Sequence, residues 1–165
     1  VYGIGAFSLA KDIGVSNKEA KHYIESYLAH YSGVDSYMKN VVEKANADGY
    51  VETMFGRRRN LPELTSSKHM IRAFGERVAR NMPIQGTAAD IIKIAMIKVD
   101  ERMKAENLRA RLVLQVHDEL IVEAPQDESM RVALIVQEEM ENAVKMSVPL
   151  TADAAIGRTW YDAKG

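Results

Sequence analysis

Apolar residues in the first third of the chain recur every three or four positions, in two separate runs. Ala20, Tyr23, Ile24, Tyr27, Leu28 and Tyr31 form one run, and Val34, Met38, Val41, Val42 and Ala45 form the next. At 3.6 residues per turn each set lies on one face, so the spacing predicts two amphipathic helices joined by a short turn. Ser16-Asn-Lys-Glu19 ahead of the first run is a capping box, whose hydroxyl and carboxylate satisfy N–H groups that a helix start leaves unpaired. Gly33 is expected to stop the first helix and Asp48-Gly49 the second. The tyrosines of the first run read as packing residues.

The period changes after Gly49. Tyr50 to Phe55 alternates imperfectly and Gly56 precedes Arg57-Arg58-Arg59, which predicts a small hairpin with a basic turn, closed by Pro62. From Met70 the residues Ile71, Phe74, Val78 and Met82 return to helical spacing. Pro83 is expected to interrupt that helix, because proline lacks the N–H and its ring clashes with the preceding turn. Thr87-Ala-Ala-Asp90 resembles a second cap, followed by a long buried helix carrying Ile91, Ile92, Ala95, Met96, Val99 and Met103.

Residues 111–123 carry the clearest sheet pattern. Leu112, Leu114 and Val116 alternate with Val113 and Gln115, and Leu120-Ile-Val122 follows a polar break, which predicts a β-hairpin with His117-Asp118 near its tip. A helix is expected from Pro125 towards Pro149, and Leu150, Ala152, Ala154 and Ile156 alternate as a last strand. The fold class is α+β, with a boundary expected near residues 62 to 70.

Composition narrows the partners. The chain has 165 residues, 47% hydrophobic and 27% charged, which suffices for one domain-sized core and excludes a disordered chain. A net charge of −1 provides no global basic field, so any nucleic-acid contact must come from local clusters. There is no cysteine, which removes disulfides, thiolate metal sites and cysteine nucleophiles and is compatible with a reducing cytoplasm. No apolar run approaches the roughly 20 residues needed to span a bilayer, so no membrane partner is expected. The opening Val1-Tyr-Gly-Ile-Gly, without an initiator Met, suggests a fragment.

Two constellations could carry chemistry. Asp118 and Glu119 follow His117 at the hairpin turn, where apolar walls would desolvate them; adjacent acids repel unless a cation intervenes, and a hard divalent ion such as Mg²⁺ is the natural partner. The plainer alternative makes them polar turn residues. A phosphohydrolase of the His…His-Asp…Asp type would need its ligands on helices, and His22, His30 and His69 are not at matching positions. The second constellation, Arg77, Asn81 and Gln85, is spaced four apart and forms one polar ridge on a helix. A cation with two amides suits sugar and base edges, whereas the plainer alternative is a solvated helix face. Small and apolar neighbours, Ile84, Gly86, Ala88 and Ala89, suggest that Gln85 is buried or closely approached. Residues 57 to 80 are locally basic, which fits either phosphate contact or an exposed turn.

These pieces jointly resemble family A DNA polymerases of the bacterial DNA polymerase I type, through nearly the whole chain. Tyr2-Gly-Ile-Gly-Ala-Phe7 resembles the tail of motif B, and Gly49-Tyr-Val-Glu-Thr-Met-Phe-Gly-Arg-Arg-Arg59 the fingers hairpin. Asn81-Met-Pro-Ile-Gln-Gly-Thr-Ala-Ala-Asp90 resembles the palm helix, and Leu114-Gln-Val-His-Asp-Glu-Leu120 resembles motif C. Four motifs in the family's order are far more specific than any one.

The resemblance implies that residues 1–68 are the C-terminal part of the fingers and residues 69–165 a portion of the palm. It makes Asp118 one of two palm aspartates holding Mg²⁺, Glu119 an auxiliary carboxylate and His117 a neighbour of the primer-terminal backbone. Arg77, Asn81 and Gln85 would follow the template and the minor-groove side of the terminal pair, and Tyr2 would stand beside the nascent base pair. The implied reaction is attack of a primer 3′-hydroxyl on the α-phosphorus of a deoxynucleoside triphosphate, assisted by two Mg²⁺ ions. Primer-template DNA, deoxynucleoside triphosphates and the rest of the polymerase chain are the implied partners, in a cytoplasmic, nucleoid-associated setting. The sequence lacks the first half of motif B and any Asp-Tyr-Ser-Gln-like motif A, so the segment alone is expected not to polymerise. The alternatives are a non-catalytic nucleic-acid-binding module of this fold and a metal-dependent phosphoesterase using Asp118 and Glu119.

Overall fold

A computed structural model of the chain describes residues 4–164. The fold is α+β, with long helices and two small antiparallel sheets, and it divides into two compact units, Val1–Thr87 and Ala88–Gly165.

In the first unit, α1 spans Ala6–Ile13, α2 Asn17–His30 and α3 Ser32–Asp48. Ser16 caps α2 as its sequence predicts: its hydroxyl accepts the Glu19 N–H at 3.2 Å, and the Glu19 carboxylate accepts the Ser16 N–H at 3.0 Å. The Ser16 hydroxyl also donates to the Glu19 carboxylate at 2.6 Å, and that bond first, with the Ser16 N–H bond second, holds the Glu19 carboxyl below its ordinary value. The break between α2 and α3 falls at Tyr31, with φ −104° and ψ 59°, and not at Gly33. Gly33 lies in the first turn of α3 with open space where a Cβ would stand, so no special glycine geometry is needed there. Gly49, in contrast, ends α3 in the left-handed region at φ 77°, where a side chain would be strained.

The stripe of tyrosines on α2 does not form a core. Tyr23 and Tyr27 of α2 and Tyr31 just after it are 51%, 39% and 49% exposed, and among the described residues of that helix only Ala20 is buried.

The basic hairpin forms between β1 (Tyr50–Glu52) and β2 (Arg58–Asn60), with Val51 opposite Arg59. A 3-10 turn over Pro62–Thr65 leads to α4, which runs unbroken through Pro83 from His69 to Ala105. The expected interruption does not occur. Pro83 removes the N–H that would bond the Ala79 carbonyl, yet the helix continues through it with Pro83 itself buried; the Thr87 hydroxyl separately donates to the Pro83 carbonyl. Thr87 and Asp90 therefore lie inside the helix as buried polar residues, not at a cap. Ala45, Val51, Leu61, Leu64 and Ala79 make the core of this unit. Fully burying a side chain the size of Leu61 is worth about 1.5–3 kcal/mol.

The second unit holds the C-terminal part of α4, the hairpin of β3 (Arg111–Val116) and β4 (Glu119–Glu123), α5 (Ser129–Glu141) and a short α6 (Trp160–Lys164). Helices pack on the hairpin: Val99 and Met103 of α4 and Val132 and Ile135 of α5 are buried, with Leu112, Leu120 and Val122 against them. An irregularity between Leu112 and Leu114 breaks the expected alternation, so Val113 and Leu114 are both about half exposed. The helix after Pro125 ends at Glu141, earlier than its apolar pattern suggests. No ladder forms over residues 150–156; the Ala152 N–H is taken instead by the Glu141 carboxylate at 3.2 Å. Alternation supplies a face but not an edge, and a strand needs both. No helix among the described residues is long and apolar enough to cross a membrane.

Candidate functional site

The hairpin of the second unit presents three neighbouring polar residues at its tip. His117 takes φ 54°, uncommon for a residue with a Cβ, and its carbonyl accepts a hydrogen bond from the Gln115 amide at 2.5 Å. That local bond fixes the turn from which Asp118 projects. Asp118 is exposed, and among the described residues no hydrogen bond or ion pair engages its carboxylate. The apolar walls expected from sequence do not enclose it, because the β3 residues just before the tip, Leu114 and Gln115, are themselves exposed.

Glu119 opens β4 opposite Val116. One carboxylate oxygen lies 3.3 Å from the Lys164 ammonium, while the other is buried without a hydrogen-bond partner. A buried oxygen left without a donor calls for one or for a cation. Among the described residues no three His, Cys, Asp or Glu side chains gather closely enough to hold a metal ion. The carboxylates nonetheless fit part of a magnesium site. Both are hard oxygen donors, Asp118 is unengaged, Glu119 keeps an unsatisfied oxygen, and Mg²⁺ typically takes one or two carboxylates and completes its octahedron with water and phosphate oxygens.

In the first unit, Arg77, Asn81 and Gln85 lie four apart on α4 as their spacing predicts, since the helix passes through Pro83 without a break. Arg77 is exposed, its guanidinium 5.9 Å from the Phe74 ring centroid. Asn81 is half-buried with its amide oxygen unpartnered. Gln85 is exposed, which corrects the expectation of burial: Gly86 beside it packs inward, and Gln85 takes the outer face.

The locally basic stretch is partly spoken for. Arg72 donates to the Ser66 and Ser67 carbonyls at 2.8 and 3.0 Å, Arg80 pairs with Glu76 at 3.3 Å, and Arg58 pairs with Glu52 at 3.1 Å while covering the Tyr50 ring. Tyr2 lies outside the described residues. A cavity of about 90 Å³ is lined by Tyr37, Val41, Tyr50, Glu52 and Pro83 among others, and by none of Arg77, Asn81, Gln85, His117, Asp118 and Glu119.

The profile of the DNA polymerase family A matches residues 1–162. The chain belongs to this family.

It is 53% identical over 164 residues to DNA polymerase I of Bacillus caldotenax and 52% to that of Geobacillus stearothermophilus. DNA polymerase I of Bacillus subtilis (strain 168) is 51% identical over the same length. Each alignment covers 99% of this chain and 19% of the relative, so the chain spans about a fifth of the length of these curated relatives. Among solved structures it is similar to the POL domain of Pol1 from M. smegmatis in complex with DNA primer-template and dNTP. That likeness has a TM-score of 0.94 and 46% identity, over 99% of this chain and 29% of that one.

For a family A polymerase segment, sequence reasoning missed two residues that shape the sites. Lys164 meets Glu119 from α6, a helix too short to leave a periodic signal. Thr87 ties the β1–β2 turn to α4 by accepting the Met54 N–H at 3.0 Å. Its position four residues after Pro83 was the available signal, since a hydroxyl there reaches the carbonyl of residue i−4.

Proposed function

We propose that this chain is the fingers and palm portion, residues 1–68 and 69–165, of a template-directed DNA polymerase that adds deoxynucleotides to a primer 3′-hydroxyl. The observation that carries the proposal is the hairpin tip: an unengaged Asp118 followed by Glu119 with a buried, unsatisfied oxygen, in a chain of this family.

Asp118 and Glu119 would hold Mg²⁺ together with groups from the rest of the polymerase chain. Two ions held there would lower the pKa of the attacking hydroxyl and offset the charge on the leaving phosphates. The chain's own part is positional. Pairing of Val116 with Glu119 and the Gln115 bond to His117 fix the direction of Asp118, and Lys164 offsets part of the Glu119 charge. His117, exposed at the same tip, would meet the primer-terminal backbone. Arg77, Asn81 and Gln85 would follow the template and the minor-groove edge of the terminal pair. Acceptors on that edge are nearly the same for every correct pair, so amides there test pair geometry without reading sequence. Tyr2 would stand beside the nascent base pair. Such an enzyme works where DNA is, in a cytoplasmic, nucleoid-associated setting.

Primer extension tests the proposal. In the polymerase chain that carries these residues, Asp118→Ala is expected to abolish extension while primer-template binding persists; extension at the unsubstituted rate would overturn the assignment. The 165 residues alone are expected to give no extension, because one carboxylate pair does not position two ions and the triphosphate-binding half of motif B is not in this sequence. Extension by the isolated segment, abolished by Asp118→Ala, would overturn that part.

A further inference from the structure

The short helix α6 is built to hold one side chain in place. The Thr159 hydroxyl accepts the Asp162 N–H at 3.2 Å, and the Asp162 carboxylate accepts the Thr159 N–H at 3.1 Å and the Thr159 hydroxyl at 2.8 Å. This is the reciprocal bonding of a capping box, in the pattern of Ser16 and Glu19. Gly157 lets the chain ahead of the helix approach it closely: a Cβ there would lie 2.5 Å from the Ala163 nitrogen, nearer than a Cβ comes to a backbone atom. Lys164 leaves this fixed turn with its ammonium 5.1 Å from the Trp160 ring centroid and 3.3 Å from the Glu119 carboxylate. Among the described residues no other Lys or Arg side chain pairs with Asp118 or Glu119. The tip thus sets two carboxylates against one held ammonium.

We infer that Lys164 is a positioning residue that sets how tightly the hairpin tip holds Mg²⁺, keeping the free ion weakly bound until triphosphate oxygens complete the site. The inference rests on the assignment of Asp118 and Glu119 to Mg²⁺. An ammonium that stabilises Glu119 when no ion is bound opposes any cation that must share the same carboxylate, because like charges in one site disfavour each other. Solvent screens part of this opposition, since the Lys164 side chain is 59% exposed. A triphosphate changes the balance. It supplies oxygen ligands to the ion, and its negative charge is attracted by the same ammonium that repels the ion, so the two effects partly cancel.

The test is binding of Mn²⁺, as a paramagnetic stand-in for Mg²⁺, to the full polymerase chain with primer-template and no nucleotide. Loss of the free-ion electron paramagnetic resonance signal reads it, and only binding that Asp118→Asn removes is compared. Lys164→Met keeps the stem without the charge and should bind about three- to fivefold more tightly, near the most that a largely exposed ion pair supplies. That gain should shrink as salt is raised from about 0.05 M to about 0.5 M. It should also narrow when a non-hydrolysable deoxynucleoside triphosphate is present. Lys164→Arg keeps the charge and should bind like the unsubstituted chain.

Unchanged or weaker Mn²⁺ binding in Lys164→Met would overturn the inference, and so would equal gains in Lys164→Met and Lys164→Arg. A gain that neither salt nor the triphosphate reduces would remove charge as its cause and overturn it as well. In each of these cases the loss in Asp118→Asn leaves the metal assignment standing. Mn²⁺ binding untouched by Asp118→Asn would instead remove that assignment, and this inference with it.

Discussion

Arg131 grips the Glu106 carboxylate with two guanidinium N–H groups, Nε to one oxygen at 2.6 Å and Nη2 to the other at 2.5 Å. The contact ties the start of α5 to the chain just past α4. Arg102 joins from within α4, 3.3 Å from Glu106, and also reaches Glu138 and Glu139 on α5 at 2.7 and 2.8 Å. A two-point fork of this kind matches carboxylate geometry better than a lysine could.

The pair makes stability depend on pH in a definite direction. Hydrogen bonding from Arg131 first, and then from Arg102, holds the Glu106 carboxyl below its ordinary 4.5, partly opposed by desolvation. A carboxyl with a depressed folded pKa contributes stability that is whole above about 4.5 and is lost as pH falls through the folded value. The melting temperature should therefore fall as pH drops below about 4.5, and Glu106→Gln should flatten that acid limb. A thermal melt series from about pH 7 to about pH 3 checks it; identical limbs in the two proteins would remove Glu106 from the acid response.

The Ser16 cap offers a separate test of local stability. Ser16→Ala deletes the acceptor for the Glu19 N–H and the reciprocal hydroxyl contact to the Glu19 carboxylate. A loss of about 1 kcal/mol is expected from the cap. Urea unfolding followed by far-ultraviolet circular dichroism measures it, with the slope of the transition unchanged.

What was legible in the sequence is what neighbouring residues decide among themselves. The Ser16–Glu19 cap, the glycine stop at Gly49 and both hairpins follow from local chemistry that needs no distant partner. Pro83 does not end the helix because that turn is buried in tertiary packing, which outweighs the local preference and involves distant partners such as the Met54 N–H, bonded by Thr87 from 33 positions earlier in the chain. The strand expected over residues 150–156 failed for a related reason: the apolar alternation is present, but no adjacent edge pairs with it among the described residues. Of the candidate site, the tip residues and the ridge were placed correctly on their elements. Their exposure was not, since both Asp118 and Gln85 stand further out in solvent than their apolar neighbours suggested.

Truncation of the second core probes how much the tip depends on the packing beneath it. Ile135 is fully buried between α4 and α5, in the cluster that also touches Leu120 and Val122 of the hairpin. Ile135→Ala should cost about 2–5 kcal/mol, through lost burial and the cavity left behind. Denaturant titration reads the loss, and a value under about 0.5 kcal/mol, typical of surface sites, would show that this core does not hold the unit together.

His117 allows the turn and the contact to be separated. Its φ of 54° is one that glycine adopts freely and a β-branched residue resists, at about 1–2 kcal/mol for the left-handed region. The Gln115 amide bonds the His117 carbonyl, which every substitution keeps. His117→Gly should therefore retain the hairpin at undiminished stability, whereas His117→Val should lose about 1–2 kcal/mol in urea unfolding. Both lack the imidazole, so both should weaken primer-template binding if that ring meets the primer backbone. Weakening by His117→Val alone would mean that the tip needs the turn geometry and not the ring, because the glycine variant keeps the first and removes the second.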